Sequence, residues 1–386
     1  MSRIYLDNAA TSWPKPETVY QAIDDYQRRL GAPAGRGAYQ EAGETERLIG
    51  SCRKKIAQLI GASEPSRIVF THNGTDSLNL ALHGLLRPGD HVVTTVCEHN
   101  SVLRPLRFLA EHRDVTATSV PCDASGFVAP GDIRRAIRSN TKLIALVHAS
   151  NVTGALQPVE EVGRMAAEHG LLYLVDAAQT LGHEPLDVGR IGCHLLASPG
   201  HKGLLGPLGT GVLYVAPAAA EQLLPVRQGG TGTRSDDDVQ PTTLPDRYES
   251  GNLNVPGIVG MEAGLTEILS RGVESIASQE RQLTERLLSG LASTPNITLY
   301  GPPTAQNRVG LVSLNVAGYD PQELASILDA QWSIQCRAGL HCAPKMHAAL
   351  GTSPSGTLRL SLGPYNTAEH IDAVIAALRE VAGDQA

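Results

Sequence analysis

The chain has 386 residues, 42% of them apolar and 18% charged, a composition typical of a globular protein long enough for more than one domain. Its formal net charge is −7, and it has no basic run, which argues against a nucleic-acid partner. The start lacks the basic and apolar pattern of a secretory signal, and no apolar run approaches membrane-spanning length, so we expect a cytoplasmic protein with no membrane partner.

Six cysteines are scattered along the chain without any CxxC spacing. A chain of this size needs no disulfide cross-links to stabilise its core. The cysteine spacing therefore favours neither a disulfide framework nor a zinc site, and we expect no metal. The pattern is compatible with a reactive thiol.

The N-terminal part predicts a short strand and two helices. Residues 3–6 form the strand, and the proline-containing turn DNAATSWPKP separates it from a helix that starts at Glu17. A second, amphipathic helix is expected over about 44–60. The loop 31–40 between the helices is rich in glycine and contains Arg36.

Residues 67–86 predict a strand, a turn and a helix that begins near Thr75. Free backbone N–H groups at such a helix N-terminus, together with the hydroxyl of Thr75 and the small Gly74, can bind a phosphate. The alternative is that Thr75 only caps the helix.

Strands and helices then alternate, which predicts a mostly parallel sheet connected by right-handed crossovers. A further strand within 206–215 is expected to run in the opposite sense. The predicted parallel strands are 91–95, 115–120, 143–148, 171–175 and 194–197, and the predicted helices are 131–139 and 159–169.

Eight polar residues follow these strands at the point where each strand ends. Because ligands bind at the carboxyl edge of an open α/β sheet, we expect them to surround one crevice. They are Thr75, His99, Asn151, Asp176, Gln179, Ser198, His201 and Lys202.

The pair Asp176 and Lys202 indicates pyridoxal phosphate chemistry. A lysine amine forms a Schiff base with the cofactor aldehyde, and a carboxylate keeps the pyridine nitrogen protonated. His99 could stack on the ring. The alternatives are a helix-capping aspartate, a solvated lysine and a surface histidine.

The C-terminal part predicts a second domain. The polar loops 227–238 and 247–258 are interpreted as lids or subunit contacts. From about residue 259 a long helix is expected to reach residue 291. We expect a large domain over 15–258 and a small domain formed by 1–14 and 259–386.

Two residues of the second domain are candidates for chemistry. Cys342 lies in a polar loop beside His341 and Arg337, basic groups that would help a thiol to ionise; the alternative is a buried, inert cysteine. Arg359 stands among apolar neighbours in the strand TLRLSL, where it needs an anionic partner. That partner is a substrate carboxylate or a structural ion pair.

Eight motifs, in order and nearly end to end, resemble the cysteine desulfurase branch of the class V aminotransferases, closest to the group with a short catalytic loop that includes the selenocysteine lyases. The motifs are YLDNAAT, NGT, EHN, SNVTG, DAAQ, SPGHK, RAGLHCAP and LRLSLGPYNT.

The resemblance implies a fold type I pyridoxal 5'-phosphate enzyme, a homodimer that converts L-cysteine to L-alanine. It places a persulfide on Cys342 and passes the sulfur to an acceptor protein, for iron–sulfur clusters or another use. Residues implied for the cofactor are Lys202 as the Schiff-base lysine, Asp176 at the pyridinium nitrogen, Gln179 at the phenolic oxygen, His99 over the ring, and Gly74, Thr75, Ser198 and His201 at the phosphate. Residues implied for the substrate are Asn151 and Arg359, and we also expect Asn8, Arg36 and Arg337 to contact it. Lys202, His99 and Cys342 are the expected catalytic residues.

Two positions depart from the family pattern. Asn252 stands where many relatives have a threonine that contacts the phosphate across the dimer, and Leu340 stands where the best-known short-loop desulfurases have a second histidine. Three alternatives stay open: a selenocysteine lyase acting on L-selenocysteine, a class V aminotransferase that would not need Cys342, and a non-catalytic sulfur-relay scaffold.

Overall fold

The structure is a computed structural model that describes residues 3–35, 37–233 and 236–383. The strands in these ranges are β1 (Ile4–Tyr5), β2 (Ile68–Thr71), β3 (His91–Thr95), β4 (Thr116–Val120), β5 (Thr141–Val147), β6 (Leu172–Asp176), β7 (Leu195–Pro199), β8 (Gly211–Val215), β9 (Ile297–Tyr300), β10 (Leu311–Val316), β11 (Ile334–Gln335), β12 (Arg337–Gly339) and β13 (Thr357–Ser361). The helices are α1 (Glu17–Asp25), α2 (Gln40–Leu59), α3 (Gly74–Leu85), α4 (Asn100–His112), α5 (Pro130–Ala136), α6 (Val159–Glu168), α7 (Val188–Ile191), α8 (Pro217–Ala220), α9 (Val255–Arg271), α10 (Val273–Leu291), α11 (Pro321–Trp332), α12 (Pro344–Ala349) and α13 (Ala368–Gly383).

The largest sheet has seven strands in the order β2-β8-β7-β6-β5-β3-β4. Strands β3 to β7 pair in parallel, and β8 is antiparallel to both of its neighbours. The predicted mostly parallel sheet with one reversed strand is therefore confirmed. The five predicted parallel strands lie within two residues of the observed ones at either end.

Helices cover both faces of this sheet. Along β5, Leu143 and Ala145 belong to one apolar cluster, whereas Ile144 and Leu146 belong to the cluster on the opposite face. All four side chains are buried, as expected for a central parallel strand, whose side chains alternate between two covered faces.

The C-terminal part builds a separate apolar cluster around a four-stranded antiparallel sheet in the order β12-β13-β10-β9. Helices α10, α11 and α13 pack in this region. The N-terminal strand β1 pairs in parallel with β11, and Leu6 is buried in the same cluster. The domain boundaries at 14/15 and 258/259 stay a prediction.

The single long helix predicted over 259–291 is wrong, because two helices occupy this stretch. Helix α9 begins earlier, where the Asn254 side chain accepts a hydrogen bond from Gly257 N, and it packs against α1 and α2. Gly272 ends it with a φ of 79°, a conformation that glycine adopts without strain, and α10 follows directly.

Within the described ranges, no helix combines the length and the apolar character needed to cross a bilayer. The same part of the chain shows no group of three or more His, Cys, Asp or Glu residues that could hold a metal ion. The six cysteines, all of them among the described residues, are unpaired.

Candidate active site

The ends of five strands meet around a cavity of about 210 Å³ at one edge of the seven-stranded sheet. Strands β2, β3, β5, β6 and β7 all point their carboxyl ends to this edge, as expected for a ligand site of an α/β sheet. The predicted residues that line the cavity are Gly74, Thr75, His99, Asn151, Asp176, Gln179, His201, Lys202, Arg337 and Arg359.

Asp176 and Lys202 face the same cavity from β6 and from the turn after β7. Asp176 is 4% exposed, and its Oδ1 accepts a hydrogen bond from Ala178 N at 2.9 Å. Burial raises the pKa of Asp176, while this hydrogen bond and the charge of Lys202 act against the rise. Burial lowers the pKa of Lys202 to about 8, so a minor but usable fraction of this amine is neutral near physiological pH.

His99 lies at the N-terminus of α4 as its capping residue. Its Nδ1 accepts a hydrogen bond from Ser101 N at 3.0 Å, which leaves the ring proton on Nε2. The Ser101 hydroxyl lies 2.8 Å from this Nδ1 and 2.7 Å from Thr75 Oγ1. Burial, followed by the charge of Lys202, lowers the pKa of His99 to about 4, so the ring is neutral.

The N-terminus of α3 is capped by Asn73 rather than by Thr75. Asn73 Oδ1 accepts a hydrogen bond from Asp76 N at 2.9 Å, whereas the exposed Thr75 lines the cavity with its hydroxyl hydrogen-bonded to that of Ser101. A Cβ at Gly74 would lie 3.0 Å from Pro199 Cδ, so a glycine allows the turn and β7 to approach closely. The capping alternative for Thr75 is therefore wrong.

The turn after β7 is fastened by the N-terminal segment. The carbonyl of His201 accepts hydrogen bonds from Thr11 Oγ1 at 3.0 Å and from Lys15 Nζ at 2.9 Å. His201 lines the cavity, and its buried Nδ1 has no hydrogen-bond partner among the described residues. Ser198 is buried and does not line the cavity; its hydroxyl donates to Pro199 O at 3.3 Å.

Arg359 is 1% exposed and is held on two sides. Its Nη2 lies 2.9 Å from Asp7 Oδ1, and its Nη1 donates to Asn151 O at 3.1 Å. The structural ion pair left open by the sequence is thus present, although Nε of Arg359 and Oδ1 of Asn151 have no partner in the described part of the chain. The Asn151 amide donates to His341 O at 2.6 Å.

Cys342 lies beside the cavity, in a cleft of about 480 Å³ that shares Thr75, His99 and Ser101 with it. A tight turn presents the cysteine: Ala343 N donates to the carbonyl three residues earlier at 2.9 Å. His341 and Cys342 have φ values of 48° and 59°, as in a type I′ turn. The Cys342 carbonyl accepts a hydrogen bond from the first backbone N–H of α4 at 2.7 Å.

His341 does not supply the positive charge expected beside Cys342. It is 3% exposed, and burial together with the charge of Arg359 lowers its pKa to about 2. Its Nδ1 lies 3.4 Å from Nε2 of His347, also a neutral ring. The cations near the thiol are therefore guanidinium groups, and Arg359 interacts electrostatically with Cys342.

Two further predicted site residues, Asn8 and Asn252, do not line the cavity. The Asn8 amide donates to Ser361 O at 3.1 Å, and its Oδ1 accepts from Trp13 N at 3.2 Å, so it ties backbone segments together outside the cavity. Asn252 is exposed and away from the cavity of its own chain. Arg36 lies outside the described residues. The substrate and cofactor roles of all three stay predictions.

Sequence reasoning assigned no role to Asp7, Ser101 or Glu98. Glu98 is fully buried, and its Oε1 accepts hydrogen bonds from Thr95 Oγ1 at 2.7 Å and Val147 N at 3.1 Å. Burial raises the pKa of Glu98 to about 8. The position of Glu98 directly before His99 was visible in the sequence, but its burial was not.

The cavity fits a polar, anionic cofactor. Three of the buried side-chain atoms that lack a partner within the described residues belong to its lining: Asn151 Oδ1, His201 Nδ1 and Arg359 Nε. Burying such atoms without a partner is costly, which indicates a site built to bind a polar group. A partly neutral lysine, a buried acid and a helix N-terminus suit an aldehyde, a pyridinium nitrogen and a phosphate.

The fold, with this lysine and acid at the sheet edge, defines a class of enzyme, the class V aminotransferases, whose family model matches residues 4–374. A probable cysteine desulfurase of Methanothermobacter thermautotrophicus is 40% identical over 98% of this chain and 95% of its own length. One of Pyrococcus abyssi is 37% identical over 98% and 94%. An apo structure of a cysteine desulfurase from Thermococcus onnurineus superposes with a TM-score of 0.93 at 35% identity, covering 99% and 95% of the two chains. The chain therefore belongs to the cysteine desulfurase family within class V, and it is an enzyme of that type.

Proposed function

We propose that the protein is a pyridoxal phosphate-dependent cysteine desulfurase that converts L-cysteine to L-alanine and keeps the sulfur as a persulfide on Cys342. The observation that carries the proposal is the single cavity onto which Lys202, Asp176 and Arg359 open, with Cys342 in the cleft next to it. Relatives that match nearly the whole chain carry the name probable cysteine desulfurase.

The residues at the sheet edge would hold the cofactor. Lys202 would bind it covalently through its amine, and Asp176 would pair with the ring nitrogen. Further predicted contacts are His99 and Gln179 at the ring and Gly74, Thr75, Ser198 and His201 at the phosphate. When bound, the cofactor would act as an electron sink that stabilises negative charge on the substrate carbon.

Lys202 is suited to move the proton of the substrate α-carbon. Its pKa of about 8 leaves a neutral amine available as a base, whereas an ordinary solvated lysine is protonated at the same pH. Asp176 opposes a further drop of the Lys202 pKa, so the two groups set each other's charge.

Arg359, Arg337 and Asn151 are the proposed substrate carboxylate site. Asp7 and the Asn151 carbonyl hold the Arg359 guanidinium, so binding a carboxylate would not require it to be ordered first. Its unpartnered Nε and the unpartnered Asn151 Oδ1 can still form hydrogen bonds.

Cys342 is the proposed nucleophile. Attack of its thiolate on the substrate sulfur forms the S–S bond and breaks the C–S bond, and the carbon takes a proton and leaves as alanine. The turn places the thiol in a partly open cleft, where an acceptor protein can take the sulfur, for iron–sulfur clusters or another use.

Two finer proposals concern the assembly and the compartment. We propose a homodimer in which Asn252 contacts the phosphate of the partner subunit, since it is exposed and does not line the cavity of its own chain. A cytoplasmic location suits a thiol enzyme whose six cysteines are unpaired across the described ranges.

The test is a visible absorbance spectrum of the protein loaded with pyridoxal phosphate, followed by addition of L-cysteine and dithiothreitol, which reduces the persulfide and releases its sulfur as sulfide, with alanine and sulfide assayed together. We expect a band that shifts on addition, with equal alanine and sulfide. Lys202→Ala should lose the band and all turnover, whereas Cys342→Ala should keep the band and lose the persulfide. Alanine release only from L-selenocysteine, or sulfide release by Cys342→Ala at the unmodified rate, would contradict the proposal.

A further inference from the structure

Two cysteines outside the cavity lie side by side where β3 and β4 leave the seven-stranded sheet. Thr95 and Val120 are paired at the ends of these parallel strands, and each cysteine, Cys97 and Cys122, comes two residues after its member of the pair. The chains remain together beyond the strands, because Val96 N donates to Val120 O at 3.0 Å. The paired strand ends are about 4.8 Å apart, so the residues that directly follow them start from a spacing that suits the range of about 4.4–6.8 Å between the Cα atoms of a disulfide.

The two thiols influence each other: their interaction raises the pKa of Cys97 and lowers the pKa of Cys122. Cys97 is fully buried, whereas Cys122 is partly exposed. By contrast, burial raises the pKa of Cys193 to about 12, as it does for Cys336, so neither shares this environment.

The pair lies between the two catalytic segments. Cys97 is two residues before His99, and its sulfur lies 3.6 Å from Gly126 O. The sulfur of Cys122 lies 3.9 Å from Sδ of Met346, a residue of the helix that begins two residues after Cys342. An accessible thiol with a favoured thiolate next to a second, buried thiol is the arrangement of a redox-active pair.

We propose that Cys97 and Cys122 form a modification site, a reversible disulfide made with hydrogen peroxide as the oxidant. The Cys122 thiolate attacks one peroxide oxygen, the O–O bond breaks, and the departing hydroxide takes a proton to form water. The Cys97 sulfur then attacks the resulting sulfenic acid, the S–S bond forms, and the second oxygen leaves as water. Two thiols thus lose two electrons to one peroxide, which is reduced to two waters.

The bond would fasten the turn before His99 without using the sulfur of Cys342. Because the two cysteines directly follow paired strand ends, their backbones need little movement to form the bond, and His99 keeps its place between the cavity and the cleft. The inference does not depend on the proposed desulfurase activity.

The test uses the full chain with Cys342→Ala, which removes the thiol of the active-site cleft, and near-stoichiometric hydrogen peroxide. We expect two of the five thiols that remain of the original six to be lost and to return with dithiothreitol. Peptide mass spectrometry should show the Cys97 peptide linked to the Cys122 peptide, with a mass decrease of about 2 Da. Adding Cys122→Ser should abolish the loss, whereas adding Cys193→Ser as a matched control should leave the 97–122 link intact.

A disulfide that involves another cysteine, or a Met346 sulfoxide with both thiols intact, would overturn the proposal. A second measurement does not depend on any variant at this pair: the rate at which iodoacetamide labels each cysteine of the Cys342→Ala protein. Cys122 should be labelled first. Labelling of the fully buried Cys52 at the same rate as Cys122 would also overturn the proposal.

Discussion

The Arg359 guanidinium is almost completely buried, and its charge is balanced from a segment at the other end of the chain. Asp7 Oδ1 lies 2.9 Å from it, and the side chain of Asp7 is 23% exposed. Desolvation makes a buried charge costly unless a partner is close. The burial of Arg359 therefore depends on the carboxylate of Asp7.

Asp7→Ala should lower the free energy of unfolding by about 3 kcal/mol, since it leaves a buried guanidinium without its anion. Urea unfolding of the purified protein measures this loss. Asp372→Ala is the control, because it removes a carboxylate from the exposed pair with Arg286 and should change stability little. Equal losses in the two variants would contradict the importance of burial.

Glu98 should make the protein less stable as the pH rises. Its pKa is raised to about 8 by burial, so between the ordinary pKa of a glutamate and 8 the folded state binds more protons than the unfolded state. The stability cost is therefore small near pH 4.5, grows as the pH rises, and is complete above about 8.

Glu98→Gln removes this dependence, because the amide oxygen can still accept from Thr95 and Val147. Between pH 5.5 and 8 we expect the variant to gain roughly 3 kcal/mol relative to the unmodified protein, at about 1.36 kcal/mol per pH unit. Urea unfolding of both proteins without added cofactor, at pH 5.5 and at pH 8, measures this difference in the free energy of unfolding. A constant difference would mean that Glu98 does not titrate in this range.

At the scale of elements, the helices differ in how much room they leave at their glycines. A Cβ at Gly50, in the middle of α2, would meet nothing within 4 Å, whereas a Cβ at Gly163, in α6, would lie 1.7 Å from Ile191 O. Gly163 thus permits the close contact between α6 and the end of α7.

Gly50→Ala should stabilise the protein by about 1 kcal/mol through helix propensity alone. Gly163→Ala should destabilise it by about 1–3 kcal/mol, because the added methyl group forces α6 away from α7. Thermal unfolding of the two variants gives a paired comparison with the same substitution in two helices. A shift of the melting temperature in the same direction in both variants would show that helix propensity, not packing, dominates.

At the scale of the whole molecule, the site is expected to need two chains. Light scattering during gel filtration should give twice the chain mass. Asn252→Ala should retain less pyridoxal phosphate on dilution, by about tenfold for one lost charge-assisted hydrogen bond. Asn252→Thr, which keeps a donor, should retain nearly all of it. A monomer that holds the cofactor fully would contradict the role proposed for Asn252.

The N-terminal segment joins distant parts of the fold. Asn8 donates to Ser361 O near the four-stranded sheet, and Thr11 and Lys15 bond to the His201 carbonyl beside the cavity. These bonds join residues that are 186 to 353 positions apart in the chain, so no local pattern could predict them.

Local patterns in the sequence determined the sheet, the order of its strands along the chain and the edge where the polar residues gather. A strand and the polar residue at its end can be recognised from a few neighbouring residues in the sequence. For this reason His99, Asp176 and Lys202 were identified as candidates without a structure. Only the tertiary structure decided the pairing of Arg359 with Asp7, the neutral state of His341 and the position of Cys97 and Cys122 after paired strand ends. These three features depend on burial and on contacts between segments that are far apart in the chain. Burial and nearby charges also decide whether a side chain is ionised.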